Sequence, residues 1–298
     1  MRATPTAARR FFVLAAAIVV LTVLAAVGAG PSSADPVNGS DVNGTYLALG
    51  DSVAFGYVPP EAVPAPNYLD AHSFVGYSEF LAQQLDERVS NASCPGETAE
   101  SMLVAGAQSN GCENSLGSPD GYATLFPLHV QYQGTQMEYA LHYLAAHQHT
   151  RLITLDIGAN DVFLCQETTV DHCTSGAELI GVATEIAGNL ATIIHQLRDV
   201  AGYSGPIVAL TYYSLSYSDP AQVAGTLFLD SVIASAAIAN GGIVADGFAA
   251  FQGPSLAFGG DPCAAGLLIE LPDGTCNIHP SPAGQKLLAG AIATAIGP

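Results

Sequence analysis

The sequence predicts an α/β fold: one parallel sheet of about five strands with crossover helices. Two observations carry that prediction. Short apolar runs rich in β-branched residues alternate with longer stretches of helical period, which is how doubly buried strands and their crossover helices read. Of the 298 residues, 49% are hydrophobic and 11% charged, enough apolar surface for one sizeable core, so a single domain is expected.

Taken in order, the chain opens with Arg2, Arg9 and Arg10, runs uncharged from Phe11 to Gly30, and reaches Pro31-Ser32-Ser33-Ala34 before Asp35. That order is a signal peptide's, over residues 1–34. A retained anchor is the rival reading, because the apolar run is long enough to span a bilayer. Arg9-Arg10 ahead of Phe11-Phe12 leaves open whether export follows a twin-arginine route. Residues 35–44 read as a polar linker, and 45–298 as the folded domain. Strands are predicted at Tyr46 to Leu49, near Val89 to Ala92, at Leu152 to Ile157, at Ile207 to Tyr212 and at Ile243 to Ala245. Between the third and fourth, Leu179, Val182, Ala183, Ile186, Leu190, Ile193, Ile194 and Leu197 recur at three- and four-residue steps, the pattern of a helix laid on a sheet. Pro282 to Ile296 reads as a last helix with proline in its first turn, which puts His279 on a loop entering that helix. Gly106 to Gly121 and Phe251 to Pro272 read as long irregular loops, the kind that form site walls.

Seven basic residues face 26 acidic ones, and removal of residues 1–34 would leave four basic residues and a net charge of −22. Such a surface repels phosphate backbones and anionic headgroups, so no nucleic-acid partner is expected and electrostatic docking on an anionic bilayer is disfavoured. No stable membrane insertion is expected once the leader is removed. No loop shows calcium-ligand spacing, so a solvated acidic face is the better reading of the surplus. The six cysteines fall as three close pairs, each bracketing a turn-rich loop: Cys94 with Cys112, Cys165 with Cys173, Cys263 with Cys276. In an exported chain these are expected to be three local disulfides, each contributing roughly 2 to 4 kcal/mol. The alternative, a metal site, lacks any C-x-x-C or zinc spacing, and none is expected.

Four short elements carry candidate chemistry. Gly50-Asp51-Ser52 stops an apolar strand and sets a serine just past its carboxyl end, where sites form in parallel sheets. Ser93-Cys94-Pro95-Gly96 offers a glycine whose N–H a ligand can approach closely; Gly158-Ala159-Asn160-Asp161 follows another strand and offers an amide side chain; Asn277-Ile278-His279-Pro280 supplies an imidazole. Each alone also reads as an ordinary turn. No G-x-S-x-G occurs, which argues against the nucleophile elbow of α/β-hydrolases.

Together, in this order and spanning Leu47 to Gly284, the four elements resemble the four blocks of GDSL/SGNH hydrolases. The resemblance implies the SGNH-hydrolase (flavodoxin-like) architecture, a three-layer sandwich with a central parallel sheet of about five strands and helices on both faces, with Ser52 as nucleophile, His279 as general base, and an oxyanion hole from the N–H groups of Ser52 and Gly96 with the amide of Asn160. It implies a secreted esterase or lipase acting on small-molecule or lipid esters. Phe55, Tyr57, Phe74 and Phe163 near the blocks suit an acyl chain, or equally a packed core, and esters with short to medium acyl chains are favoured. No cofactor is needed, and a monomer is expected. Acetylated polysaccharide and phospholipid are alternative substrates. The chain departs from the family where an aspartate commonly stands three residues before the histidine, because that position is Cys276. Asp273, a backbone carbonyl or no third group remain open, as does a secreted binding protein that keeps the pocket without turnover.

Overall fold

A computed structural model describes residues 44–297. The leader read over 1–34, and the linker except Gly44, lie outside the described residues. Strand β1 (Thr45–Gly50) is followed by a single turn, α1 (Ser52–Phe55), and by α2 (Tyr77–Leu85) and β2 (Arg88–Asn91). A long irregular segment holding the turn α3 (Tyr122–Leu125) leads to α4 (Gln136–Ala146) and β3 (Thr150–Asp156). Then come α5 (Ala159–Thr168), α6 (Gly176–His195) with a π-helical extension to Val200, β4 (Ile207–Leu210), α7 (Pro220–Ala239), β5 (Ile243–Ala245) and α8 (Gly247–Leu256). A hairpin of β6 (Leu268–Glu270) and β7 (Cys276–Pro280) precedes α9 (Pro282–Ile296).

The five parallel strands stand in the order β2-β1-β3-β4-β5, so all five expected strands are present in one sheet. This is the flavodoxin-like order, in which the chain leaves β1 toward one edge and returns to build toward the other. The reversal opens a crevice at the carboxyl ends of β1 and β3, whose last residues, Gly50 and Asp156, pair directly. Sheet residues Leu47, Leu49, Leu152 and Ile153 are wholly enclosed, as expected for strands covered on both faces. Helices α2, α8 and α9 form one connected layer, while α6 and α7 pack together on the other side. The expected stripe holds: Val182, Ile186, Leu190, Ile193, Ile194 and Leu197 are buried, and Leu179 and Ala183, partly exposed, border a cavity that Val182 and Ile186 line as well.

Two local expectations are corrected. His279 lies on β7 rather than on a loop. Leu271 N–H bonds the Thr275 carbonyl across Pro272-Asp273-Gly274, where Gly274 has φ +80°, and the turn closes a hairpin too short to show a strand period. The stretch from Phe251 is helical to Leu256, its glycine and proline, Gly253 and Pro254, having masked the helix. The segment from Gly106 to Gly121 is irregular, as expected. All three disulfides form in the expected pairing, with Cα separations of 5.6, 5.4 and 5.9 Å.

Candidate active site

Ser52 is the first residue of α1, and its position is set by two devices at the end of β1. Gly50 has φ +146°, and a Cβ there would stand 2.4 Å from the Asp156 carbonyl oxygen, so only glycine lets the strand turn this closely. Asp51 then caps α1, its Oδ1 accepting from Val53 N–H at 2.8 Å while its Oδ2 accepts from the Tyr212 hydroxyl at 2.7 Å. The buried side chain of Gln136 adds a further hold on Gly50, accepting its N–H at 2.8 Å and donating to its carbonyl at 2.9 Å. The nucleophile candidate therefore sits on a backbone held from three sides.

His279 comes from β7, with Nε2 2.8 Å from Ser52 Oγ. The Tyr213 hydroxyl anchors the preceding residue by donating to the Ile278 carbonyl at 2.7 Å, and Gln285 on α9 donates to the Val53 carbonyl at 3.1 Å. The histidine and serine, 227 residues apart, are thus tied once more behind their contact, through Gln285 of the helix that follows the histidine.

The ring's other nitrogen answers the open question of its partner. Asn277 Oδ1 lies 2.5 Å from His279 Nδ1 and also accepts the backbone N–H of His279 at 3.1 Å. Because a backbone N–H can only donate, the atom it meets must be the amide oxygen, and Nδ1 must then carry the ring's hydrogen. Nε2 is left with a lone pair facing the serine hydroxyl. Asp273 is not that partner: its carboxylate is spent on Thr275 in the hairpin turn, accepting from its N–H at 2.9 Å. Sequence reasoning missed Asn277 because it sought an acid three residues away. The available signal was Asn-x-His itself, since asparagine readily bonds the backbone two residues on.

Gly96 and Asn160 border the same cavity as Ser52 and His279. Gly96 has φ +86°, and a Cβ would lie 2.6 Å from the Asn110 carbonyl oxygen, a close approach that excludes other residues. Asn160 is buried; its Oδ1 accepts from Asn110 Nδ2 at 3.0 Å and its Nδ2 reaches Asp51 Oδ2 at 3.4 Å. Asn110, unremarked in the sequence, thereby turns the amide of Asn160 so that its N–H₂ end faces the Asp51 side. Beneath lie enclosed acids. Burial first, and neighbouring Glu113 second, push Glu97 up to about 8; burial pushes Asp161 up to about 7 and Asp51 up to about 6. Asp156 is raised well above the ordinary range by burial and by the charge of Asp51. Glu97 and Asp156, keeping their protons near neutrality, spare the site a cluster of like charges around the ionised Asp51. Glu97 also lies near Cys94 and Cys112, but those sulfurs are joined to each other and offer no thiolate to a metal.

The cavity holds about 860 Å³ and runs from Ser52 and His279 between α5, α6 and α7, past Val162, Leu179, Ile186, Leu229 and Val232. Tyr57, tilted over His279 at 4.9 Å between ring centres, and Phe163 line it. Phe55 and Phe74 instead pack with Tyr122 in a separate enclosed cluster.

The model of the GDSL-like Lipase/Acylhydrolase family matches residues 48–287 of the chain. Among solved structures, the fold is similar to the acetylxylan esterase Axe2 from Geobacillus stearothermophilus, at TM-score 0.50 and 19% identity over 85% of this chain and 94% of that one. It is also similar to phospholipase A1 from Streptomyces albidoflavus NA297, at TM-score 0.50 and 21% identity over 85% and 99%, and to the lipase Lip_vut3 from a goat rumen metagenome, at TM-score 0.52 and 15% identity over 85% and 97%. No curated protein matches the sequence.

Proposed function

Because this chain belongs to the GDSL-like lipase/acylhydrolase family and is a carboxylic ester hydrolase, we propose that it works through an acyl-enzyme formed on Ser52 with His279 as general base. As Ser52 Oγ attacks the ester carbonyl, its proton passes to His279 Nε2 and the carbonyl's π electrons move onto oxygen. Collapse of that intermediate expels the alcohol, which takes the proton from Nε2. Water repeats the cycle and releases the acid. The N–H groups of Ser52 and Gly96 and the amide of Asn160 hold the oxyanion. Asn277 orients the ring as an aspartate would, but brings no charge to offset the imidazolium.

The 2.8 Å contact of Ser52 Oγ with a histidine whose hydrogen sits on Nδ1 is the observation that carries this reading. It also weakens the non-catalytic alternative, which leaned on the missing aspartate. The long apolar cavity supports esters with short to medium acyl chains, and lipids next, over substrates presenting only an acetyl group. Phospholipid is kept as a second reading by the same apolar wall. Residues 1–34 are read as a cleaved leader and 45–298 as the catalytic domain of a secreted enzyme, supported by three disulfides, which persist in oxidising compartments.

Hydrolysis of chromogenic esters of increasing acyl length, by the native chain and by Ser52→Ala, tests the proposal. Activity that disappears with Ser52 and peaks above acetyl is expected. Equal activity in the variant, with both proteins folded, defeats it.

A further inference from the structure

Helices α6 and α7 combine two properties that seldom coincide in a water-soluble layer. Both are long and apolar enough to cross a membrane by length and composition, yet only 28% and 22% of their most apolar stretches are buried. Neither helix carries a lysine or arginine; the single acid of α7, Asp230, is turned inward to accept the Tyr212 N–H at 2.9 Å. In a chain of net charge −19, the outer side of α7 therefore presents no charge at all. In its place stand Leu227, 46% exposed, and Phe228, 41% exposed, with Ile180 of α6 at 66%.

These side chains lie at or beside the cavity wall. Phe228 lines it. Ile180 lies one helical turn from Gly176 and from Ala183, and Leu227 one turn from Ala224, all three of which line it too. The exposed apolar surface is thus continuous with the wall that leads inward to Ser52. Burying a patch of this kind is favourable in proportion to its apolar area, and patches of this kind on soluble chains mark interaction sites.

We propose that the α6–α7 face docks on a neutral or zwitterionic lipid surface, with Ile180 and Leu227 entering the headgroup boundary so that an acyl ester passes from the surface directly into the cavity. The proposal rests on the hydrolytic reading above, because continuity with the substrate path selects the occupant. A second copy of this chain seated on the same face would stopper the mouth; a lipid surface covers the apolar residues and supplies substrate at once. The excess of acidic residues selects the lipid charge, since an anionic surface would repel the body of the protein.

Flotation with phosphatidylcholine vesicles tests this, using Ser52→Ala so that nothing is consumed, and the same chain carrying also Ile180→Glu and Leu227→Glu. Any binding by the apolar N-terminal run is common to both. Ser52→Ala should float, its binding should weaken as phosphatidylglycerol is added, and the triple variant should bind at least tenfold more weakly. The uncharged pair Ile180→Ser and Leu227→Ser should weaken binding in the same direction. With Ser52 intact, the Ile180→Glu, Leu227→Glu enzyme should hydrolyse a soluble short-chain ester at the native rate, which also shows it is folded. Undiminished flotation of the substituted chain, or none by Ser52→Ala, overturns the docking surface. So does a dimer of the native chain that these substitutions disperse. Loss of soluble-ester hydrolysis in the native chain would instead strike the hydrolytic reading, so the two failures are distinct.

Discussion

The two walls of the cavity are built by opposite rules. On the side of β1, β2 and β3, polar groups are buried and bonded: Asp51 to Tyr212, Gln136 to Gly50 and Glu97, Asn160 to Asn110, with Cys94–Cys112 closing the loop that carries Gly96. On the side of α5, α6 and α7 the lining is mostly aliphatic. Directional bonds fix atoms to fractions of an ångström, which reaction geometry requires, whereas dispersion and water exclusion ask only for volume and shape. The first wall should therefore lose rate when altered, and the second should change preference.

The sharpest break of that contrast is Ser52→Ala, expected to lower kcat by at least roughly 10⁴-fold in steady-state ester hydrolysis while the thermal midpoint barely moves. Asn160→Ala should cost on the order of 100-fold in kcat with KM little changed. An unchanged kcat in the folded variant would remove this amide from the oxyanion hole. Asn277→Ala removes a hydrogen bond of about 1.4 kcal/mol from the ring, or about tenfold in rate. Asn277→Asp should restore activity and move the acid limb of the kcat/KM profile to higher pH, because a carboxylate beside the ring favours imidazolium. A purely structural role for Asn277 predicts no such movement. On the apolar wall, Val232→Phe should cut kcat/KM for long acyl esters by roughly tenfold and leave acetyl esters unaffected. Equal losses for both would erase the distinction between the walls.

The smallest effect concerns stability. Glu97, raised to about 8, and Asp161, raised to about 7, keep their protons in the folded chain at pH values where the unfolded chain has released them. Their contribution is complete below the ordinary carboxylate range and is lost as pH rises through about 8. Thermal midpoints should accordingly fall from pH 5 to pH 8, and Asp161→Asn should flatten part of that slope.

The strands could be read because a doubly buried strand must be apolar along its whole length, whereas Ser52, Gly96, Asn160 and His279, each of which alone is also an ordinary turn, stood out only through their joint resemblance to the four blocks of a family. The hairpin of β6 and β7 could not be read, since three- and five-residue strands leave no period. Asn277 escaped for a different reason: its role comes from a local turn that folds its amide back onto the ring two residues on. Gln136, Asn110 and Tyr212 gave no sign at all, being polar residues in unremarkable places that matter only for what lies across from them.

By itself, then, the sequence determined which segments must be buried, which glycines must turn, and which cysteines lie near enough to join. Only the tertiary structure decided that Asn277 holds the histidine, that Phe55 and Phe74 are core while Tyr57 faces the site, and that α7, with Ile180 of α6, leaves apolar side chains exposed beside the cavity. The physical reason is range. Hydrophobic period and turn chemistry act between neighbours in the chain, whereas the partner of a buried amide, or the side of a helix left uncovered, depends on residues brought together only by the packed sheet.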